Sequence, residues 1–252
     1  MSPVSPVSPD PGSGPAAPGE GRVNGTVELV DSVPDAFASL VRQELAEAGD
    51  DDRSLFLSGG GTAAACYRRL AELGGTVDWE SVDVYWGDER CVPPDDVDSN
   101  YRLCREALLD RVPPARSVHP MYRSGPPDEA ASAYQHLVAP LRSFGLVHLG
   151  MGPDGHCASL FPGAETLGIA DPGTLVVATR DPLDHNPHDR ITLTLPAIAR
   201  ARLVVFTVSG AAKHRAFAGI LAGEDLPAAR VDAASVLWLV DREAAQGVPP
   251  RR

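Results

Sequence analysis

The fold of this chain is indicated most clearly by one segment, Ser54-Leu-Phe-Leu-Ser-Gly-Gly-Gly-Thr-Ala-Ala-Ala-Cys-Tyr-Arg-Arg-Leu70. Its apolar run Leu55–Leu57 is typical of a short strand that is covered on both faces. Three consecutive glycines then allow a sharp turn, and the alanine-rich stretch that follows has the pattern of a helix. The segment therefore predicts one strand–loop–helix unit.

The same alternation continues on both sides of this unit. Predicted strands are Thr26–Val30, Ser54–Leu57, Val82–Trp86, Leu146–Gly150, Leu175–Ala178, Ile191–Leu195, Leu203–Val208 and Val236–Val240. Predicted helices are Val33–Ala48, Thr62–Leu73, Ser99–Asp110, Asp128–Phe144 and Ala211–Leu221, with Ser99 and Asp128 as N-caps. This order predicts an α/β fold, with a single doubly wound, mostly parallel sheet and helices on both of its faces.

The chain is predicted to contain one domain. Residues 1–22 repeat Ser-Pro-Val and continue into Gly, Pro and Ala, so we expect a disordered tail there. Residues 23–246 are long enough for one large domain with a real core, and residues 247–252 are predicted to be a short C-terminal tail.

Charge and composition exclude several classes of protein. The chain has 22 Lys and Arg against 34 Asp and Glu, a net charge of −12, which argues against nucleic-acid binding. We expect no membrane segment, because no run of 18 apolar residues occurs, and no secretory signal. The four cysteines show no metal-binding spacing and are expected to be reduced thiols of a cytoplasmic protein. A monomer is expected rather than an oligomer.

Ligands of such sheets bind outside the carboxyl ends of the strands, so functional residues are expected in the loops that follow the strands. The first loop is Ser58-Gly59-Gly60-Gly61-Thr62. Its glycines let the backbone approach a ligand, and the free N–H groups of the following helix suit a phosphate. A flexible turn is the alternative, and the absence of Gly-Lys-Ser/Thr excludes a Walker loop.

The second loop carries Asp88, Glu89 and Arg90 directly after a predicted strand. The Arg90 guanidinium is suited to bidentate binding of a phosphate or a carboxylate. Asp88 and Glu89 are expected to point in different directions and therefore to serve different purposes. The alternative is a solvated charge cluster.

The third loop, Gly150-Met-Gly-Pro-Asp-Gly-His156, matches G-x-G-x-x-G. A dinucleotide site needs a long helix after the third glycine, and Pro162 argues against one. The loop instead presents Asp154 and His156, a carboxylate beside the side chain best suited to proton transfer near neutral pH. The alternative is a capping Asp and a packed His. A Cys157–His156 nucleophile is not favoured, because adjacent side chains diverge.

Two further cations follow or open predicted strands, and both are candidates for closing an anion pocket. They are Arg190 and Lys213, for each of which a solvated surface charge is the alternative. His185 and His188 lie in a Pro- and Asp-rich loop and are expected to be exposed. No metal-binding motif or esterase elbow is present in the sequence, so no metal is expected.

Assembled, these segments resemble the 6-phosphogluconolactonase family. The matching segments are Ser58–Thr62, Asp88–Pro93, Ser99–Tyr101, Gly150–His156, Ala158–Gly163, Arg190–Pro196, Gly210–Lys213, Arg230–Val231 and Trp238–Asp241. The most specific part is Asp-Gly-His continuing into Ala-Ser-Leu-Phe-Pro-Gly. Ala63, where the family often has Pro, and Cys157, where Thr is common, are small departures.

The resemblance implies hydrolysis of 6-phosphoglucono-δ-lactone to 6-phosphogluconate in the oxidative pentose phosphate pathway, without a metal or cofactor. His156 would be the general base, and Asp154 would position His156 or the water. Backbone N–H groups or Arg90 would be the candidate oxyanion donors. The glycine loop, Arg190 and Lys213 would hold the phosphate, and Asp88 would bind sugar hydroxyls or fix the loops.

Two alternatives to a lactonase remain open from the sequence. One is a glucosamine-6-phosphate isomerase or deaminase, which shares the glycine loop and the Asp-Gly-His segment. The other is a non-enzymatic sugar-phosphate-binding protein, which would need neither Asp154 nor His156.

Overall fold

The computed structural model describes residues 23–49, 53–73, 77–185 and 187–247. The predicted tail at 1–22 lies outside them, as does all of the predicted tail at 247–252 except Gly247. The strands are β1 Thr26–Leu29, β2 Ser54–Leu57, β3 Asp83–Trp86, β4 Asp88–Arg90, β5 Ser117–Val118, β6 Phe144–Gly150, β7 Val176–Thr179, β8 Arg190–Leu193, β9 Ala201–Val208 and β10 Val236–Val240. The helices are α1 Val33–Glu47, α2 Gly61–Glu72, α3 Asn100–Ala107, α4 Pro127–Val138, α5 Leu195–Ile198 and α6 His214–Leu221.

A seven-stranded parallel sheet forms the centre of the protein. Its strand order is β1-β10-β9-β6-β2-β3-β5, and every neighbouring pair runs parallel. The inner strands β2, β6 and β9 are buried almost throughout, as continuous apolar runs require when both faces of a sheet are covered. The predicted α/β fold is confirmed.

Helices cover both faces of this sheet. On one face, Phe37 of α1 and Tyr67 of α2 pack against His148 of β6, with the Phe37 and His148 rings 4.2 Å apart. On the other face, Phe217 of α6 packs against Trp238 of β10. In the register of the sheet, Trp238 is level across β9 with the residue that follows His148. Successive side chains along a strand point to opposite faces, so Trp238 and His148 lie on opposite faces of the sheet.

Three strands form a second sheet, which corrects the prediction of a single one. β4, β8 and β7 pair antiparallel in that order, so the predicted strands Leu175–Ala178 and Ile191–Leu195 lie outside the parallel sheet. β7 and β8 follow one another directly in the element order, and strands joined without a crossover helix pair antiparallel. Asp88–Arg90, which we expected to be a loop, is the third strand.

Two predicted helix boundaries were also wrong. Asp128 is not an N-cap, since α4 is capped by Pro126 and Pro127 takes its first position, where a missing N–H costs nothing. The helix does not reach Phe144, because Pro140 stops it at Val138. In contrast, the Ser99 prediction is confirmed: its hydroxyl accepts a hydrogen bond from the Arg102 N–H at the start of α3. Within the described residues, no helix is long and apolar enough to cross a membrane.

Candidate active site

A cleft of about 160 Å³ opens at the carboxyl edge of the parallel sheet, and most of the predicted site residues meet there. Its lining consists of Ser58, Gly59, Gly60, Asp88, Arg90, Asn100, Gly150, Met151, Gly152, Pro153, His156, Ala158, Arg190 and Lys213. Among the predicted residues, Gly61 and Thr62 form the first turn of α2 beside it, and Asp154 contacts the cleft through His156.

The glycine loop is shaped by a close approach of α3. A Cβ atom on Gly59 would lie 1.8 Å from Oδ1 of Asn100, so only glycine fits under this buried side chain. The next residue, Gly60, caps α2 with a φ of +97°, in the left-handed region that favours glycine. The loop thus presents backbone N–H groups at a helix start to the cleft, an arrangement that suits an anion.

Glu89 points away from the cleft and holds α3. Its buried carboxylate accepts hydrogen bonds of 2.7 Å from the backbone N–H groups of Asn100 and Tyr101, and a third from Arg90. Burial raises the pKa of Glu89, and these hydrogen bonds counteract the rise. Glu89 therefore fixes the start of α3, next to the glycine loop.

Asp88 points the opposite way, into the cleft. Its Oδ2 accepts a hydrogen bond of 2.6 Å from the Ser159 hydroxyl, and its Oδ1 lies 3.3 Å from the Asn100 amide nitrogen. The Arg190 guanidinium lies 3.7 Å from Oδ2. The expected divergence of Asp88 and Glu89 is thus present, and Asp88 is held by partners from three different segments.

Two arginines of the second sheet lie side by side in the lining of the cleft. Arg90 of β4 and Arg190 of β8 are cross-strand partners. Burial lowers the pKa of Arg190 and the Asp88 charge counteracts this, while an Arg90 nitrogen donates to the backbone oxygen of Asp98 at 2.7 Å. A guanidinium remains charged in proteins, so the pair gives this acidic protein a local cationic surface.

His156 and Asp154 form a hydrogen-bonded pair at the mouth of the cleft. A carboxylate only accepts, so the Nδ1–H of His156 donates to Oδ1 of Asp154, at 2.6 Å, which leaves the lone pair on Nε2. Burial opposes ionisation of Asp154, but the hydrogen bonds from His156 outweigh it and lower the pKa of the carboxyl group. The pair has the geometry of an oriented general base.

Gly152 makes this pair possible. A Cβ atom at this position would lie 2.2 Å from Nδ1 of His156 and 2.4 Å from Oδ1 of Asp154. The Gly152 N–H also donates to the backbone oxygen of His156 at 2.8 Å, which closes the loop on itself. Gly152 of the G-x-G-x-x-G match therefore makes room for an acid–base pair.

Lys213 faces the cleft from the loop after β9. Burial lowers the pKa of its ammonium group, and the charge of Asp154 counteracts this. Asp241 fixes the base of this loop, because its Oδ2 accepts from the Ser209 hydroxyl at 2.6 Å and from the Gly210 N–H at 2.9 Å. The ammonium group of Lys213 thus lies on a loop whose first residues are hydrogen-bonded to the residue that follows β10.

Sequence reasoning did not select Asn100 or Ser159 as site residues, although both contact Asp88. Their only signal was membership of the matching segments Ser99–Tyr101 and Ala158–Gly163. His188 is half-buried rather than exposed, with Nε2 2.9 Å from Asp98, whereas His185 is exposed as expected.

Residues 23–49, 53–73, 77–185 and 187–247 contain no cluster of three or more His, Cys, Asp and Glu side chains that could hold a metal ion. All four cysteines are free, and burial raises the pKa of Cys157 well above its ordinary value, so this thiol stays protonated near neutral pH.

Comparisons with known proteins show to which family the chain belongs. A family model described as glucosamine-6-phosphate isomerases/6-phosphogluconolactonase matches residues 25–238. The 6-phosphogluconolactonase of Mycobacterium tuberculosis is 41% identical over 212 residues, covering 77% of this chain and 85% of that protein.

Solved structures of the same family are also similar to this chain. The crystal structure of 6-phosphogluconolactonase from Thermotoga maritima is 31% identical, with a TM-score of 0.74, and the match covers 85% of this chain and 98% of that one. The corresponding enzyme from Trypanosoma brucei is 29% identical, with a TM-score of 0.76 and coverage of 90% and 100%. The chain therefore belongs to the glucosamine-6-phosphate isomerase/6-phosphogluconolactonase family.

Proposed function

We propose that this protein hydrolyses 6-phosphoglucono-δ-lactone to 6-phosphogluconate, a reaction of the oxidative pentose phosphate pathway. The observation that carries the proposal is the Asp154–His156 pair, which borders the same cleft as the glycine loop and Lys213. A base in the same cleft as a phosphate-binding loop suits a substrate that carries both an ester-like carbonyl and a phosphate. The lactonase relatives support the same activity.

The phosphate would bind between the glycine loop and the cations. Ser58, Gly59 and Gly60 line the cleft directly, and Gly61 and Thr62 add the first turn of α2. Lys213 would provide a point charge and Arg190 a guanidinium. A dianion can be held in this way although the whole chain carries a net charge of −12.

The chemistry would begin at Nε2 of His156. This nitrogen would take a proton from a water molecule as the water oxygen attacks the lactone carbonyl, while Asp154 holds the ring and stabilises the imidazolium. The oxyanion of the tetrahedral intermediate would accept from Arg90 or from backbone N–H groups. His156 would then return the proton to the ring oxygen as the carbon–oxygen bond breaks.

Asp88 would bind sugar hydroxyl groups or fix the loops of the cleft. Its two oxygens already accept from Ser159 and Asn100, so it is rigid before a substrate arrives. A carboxylate held in this way accepts hydrogen bonds from hydroxyl groups at a defined position, which would orient the sugar ring.

The sequence after His156 argues against the deaminase alternative. There the chain reads Cys-Ala-Ser-Leu-Phe-Pro-Gly, whereas the deaminases typically continue into Asn-Glu-Pro, whose Glu opens the sugar ring. Glu165 lies in a following 3₁₀ turn and is not part of the described cleft lining. A binding protein without activity would not need the ordered Asp154–His156 pair.

The proposal includes a monomer that works in the cytoplasm. The four free thiols fit a reducing compartment, where they would not cross-link. Light scattering coupled to gel filtration tests the monomer: a mass near that of one chain supports it, and a mass of two or more chains contradicts it.

Two activity measurements on the purified protein test the reaction. Lactone hydrolysis is followed by coupled oxidation of the 6-phosphogluconate that forms, above the spontaneous rate. Ammonia release from glucosamine 6-phosphate is measured in parallel. We expect lactone turnover and no ammonia, and ammonia without lactone turnover would replace the proposal with the deaminase.

A further inference from the structure

A buried chain of hydrogen bonds runs beneath the glycine loop. The Ser58 N–H donates to the Tyr67 hydroxyl oxygen at 2.7 Å, and the same oxygen lies 2.8 Å from Nδ1 of His148. Nε2 of His148 lies 2.9 Å from the hydroxyl of Thr207 on the neighbouring strand. The chain thus links α2, β6 and β9 to the first residue of the loop.

Each member of this chain is held in one protonation state. Burial lowers the pKa of His148 to about 3 and raises that of Tyr67 well above its ordinary value, so both are neutral near neutral pH. A neutral imidazole has one donor and one acceptor nitrogen, which matches one hydroxyl on each side. Tyr67 and His148 are 0% exposed, so water does not compete for these bonds.

Ser58 is the only member that reaches the cleft, since Tyr67, His148 and Thr207 are not part of its described lining. The Tyr67 hydroxyl also lies 3.2 Å from the Ser58 backbone oxygen, so one side chain holds both backbone polar groups of this residue. The backbone at Ser58 sets the direction in which the following glycine N–H groups point.

We infer that Tyr67 and His148 are positioning residues for phosphate binding: they hold the Ser58 backbone so that the glycine loop is already in its anion-binding conformation. The inference deepens the proposed function and rests on it. Neither side chain would touch the substrate. Their removal should weaken the binding of the phosphate and leave the reaction at the lactone carbonyl unchanged.

Tyr134 on α4 provides a matched control for Tyr67. This side chain is also buried, and its hydroxyl accepts from the Trp86 N–H at 2.8 Å and lies 3.3 Å from the Trp86 oxygen. Tyr134→Phe therefore removes the same two contacts from the end of the neighbouring strand β3. Tyr67→Phe removes the corresponding two contacts from Ser58, together with the hydrogen bond to His148.

The test compares wild type, Tyr67→Phe and Tyr134→Phe by calorimetric titration with inorganic phosphate. We expect Tyr67→Phe to raise the Kd for phosphate and the KM for the phosphorylated lactone roughly tenfold, with kcat within about twofold. Turnover of unphosphorylated glucono-δ-lactone should not change, and Tyr134→Phe should bind phosphate as wild type does.

A second pair of variants tests the histidine and covers the case in which Tyr67→Phe does not fold. His148→Leu removes both ring nitrogens and should weaken phosphate binding, whereas His148→Gln retains a donor and an acceptor and should restore part of it. Wild-type phosphate affinity in folded Tyr67→Phe, or in His148→Leu, would overturn the inference. Equal weakening by Tyr134→Phe would also overturn it.

Phosphate titration separates this inference from the proposed reaction. If the wild type fails to hydrolyse the lactone, the proposed function is lost, but the comparison of phosphate affinities still decides the role of the buried chain. If the wild type hydrolyses the lactone but binds no phosphate at millimolar concentrations, the inference is wrong and the reaction stands.

Discussion

Replacing Gly152 with Ala should separate the general base from its partner. The added Cβ would lie 2.2 Å from Nδ1 of His156 and 2.4 Å from Oδ1 of Asp154, whereas ordinary contacts begin near 3.4 Å. The backbone at residue 152 is outside the left-handed region, so the strain comes from these contacts alone. One or both side chains must move by about 1 Å, and a displacement of that size costs on the order of 10²-fold in rate.

The assay is steady-state lactone hydrolysis, with thermal unfolding as the measure of folding. Gly87→Ala is the matched control, because a Cβ there would meet only ordinary contacts of 3.7 Å and 3.8 Å at the same edge of the sheet. We expect kcat to fall roughly 10²-fold in Gly152→Ala and by less than about threefold in the control. A folded Gly152→Ala variant with near wild-type kcat would refute the role given to the hydrogen-bonded pair.

Three further variants test other parts of the site. Asp154→Asn should lower kcat by about 10²-fold with little change in KM, because an amide no longer fixes the Nδ1–H tautomer of His156 or stabilises its cation; steady-state kinetics decides this. Phosphate binding should weaken as pH rises through the pKa of Lys213, which burial places below that of a free lysine. Lys213→Arg should move this loss of binding to higher pH, because a guanidinium stays charged there. A series of phosphate titrations at different pH values measures both effects. Glu89→Ala should lower the free energy of unfolding by about 3 kcal/mol in urea, because three backbone N–H groups lose their acceptor.

The parallel sheet could be predicted from sequence because its signals are local. An apolar run such as Leu55–Leu57, followed by glycines and an alanine-rich helix, fixes both element types and their order. The second sheet could not be predicted in this way. The run Asp88–Arg90 has no strand pattern and becomes one by pairing with β8, about a hundred residues later.

In the candidate site, too, the residues with local sequence signals could be predicted and those that depend on long-range contacts could not. The glycine loop, Asp154, His156 and Lys213 carry chemical signals within a few residues of a strand end, and all lie at or beside the cleft. The roles of Asn100, Ser159 and His148 depend on contacts between distant segments, as when Ser159 donates to Asp88. A single sequence records no such contact, so only the fold could reveal these partners.

The assignment of His156 as the general base is tested by the kcat/KM of His156→Ala for 6-phosphoglucono-δ-lactone, measured against wild type on protein with an unchanged melting temperature. Removing the general base should lower this value by about 10²- to 10⁴-fold and leave the affinity for inorganic phosphate within about twofold. A folded His156→Ala variant that hydrolyses the lactone within about threefold of the wild-type rate would contradict the assignment of the base and the mechanism built on it.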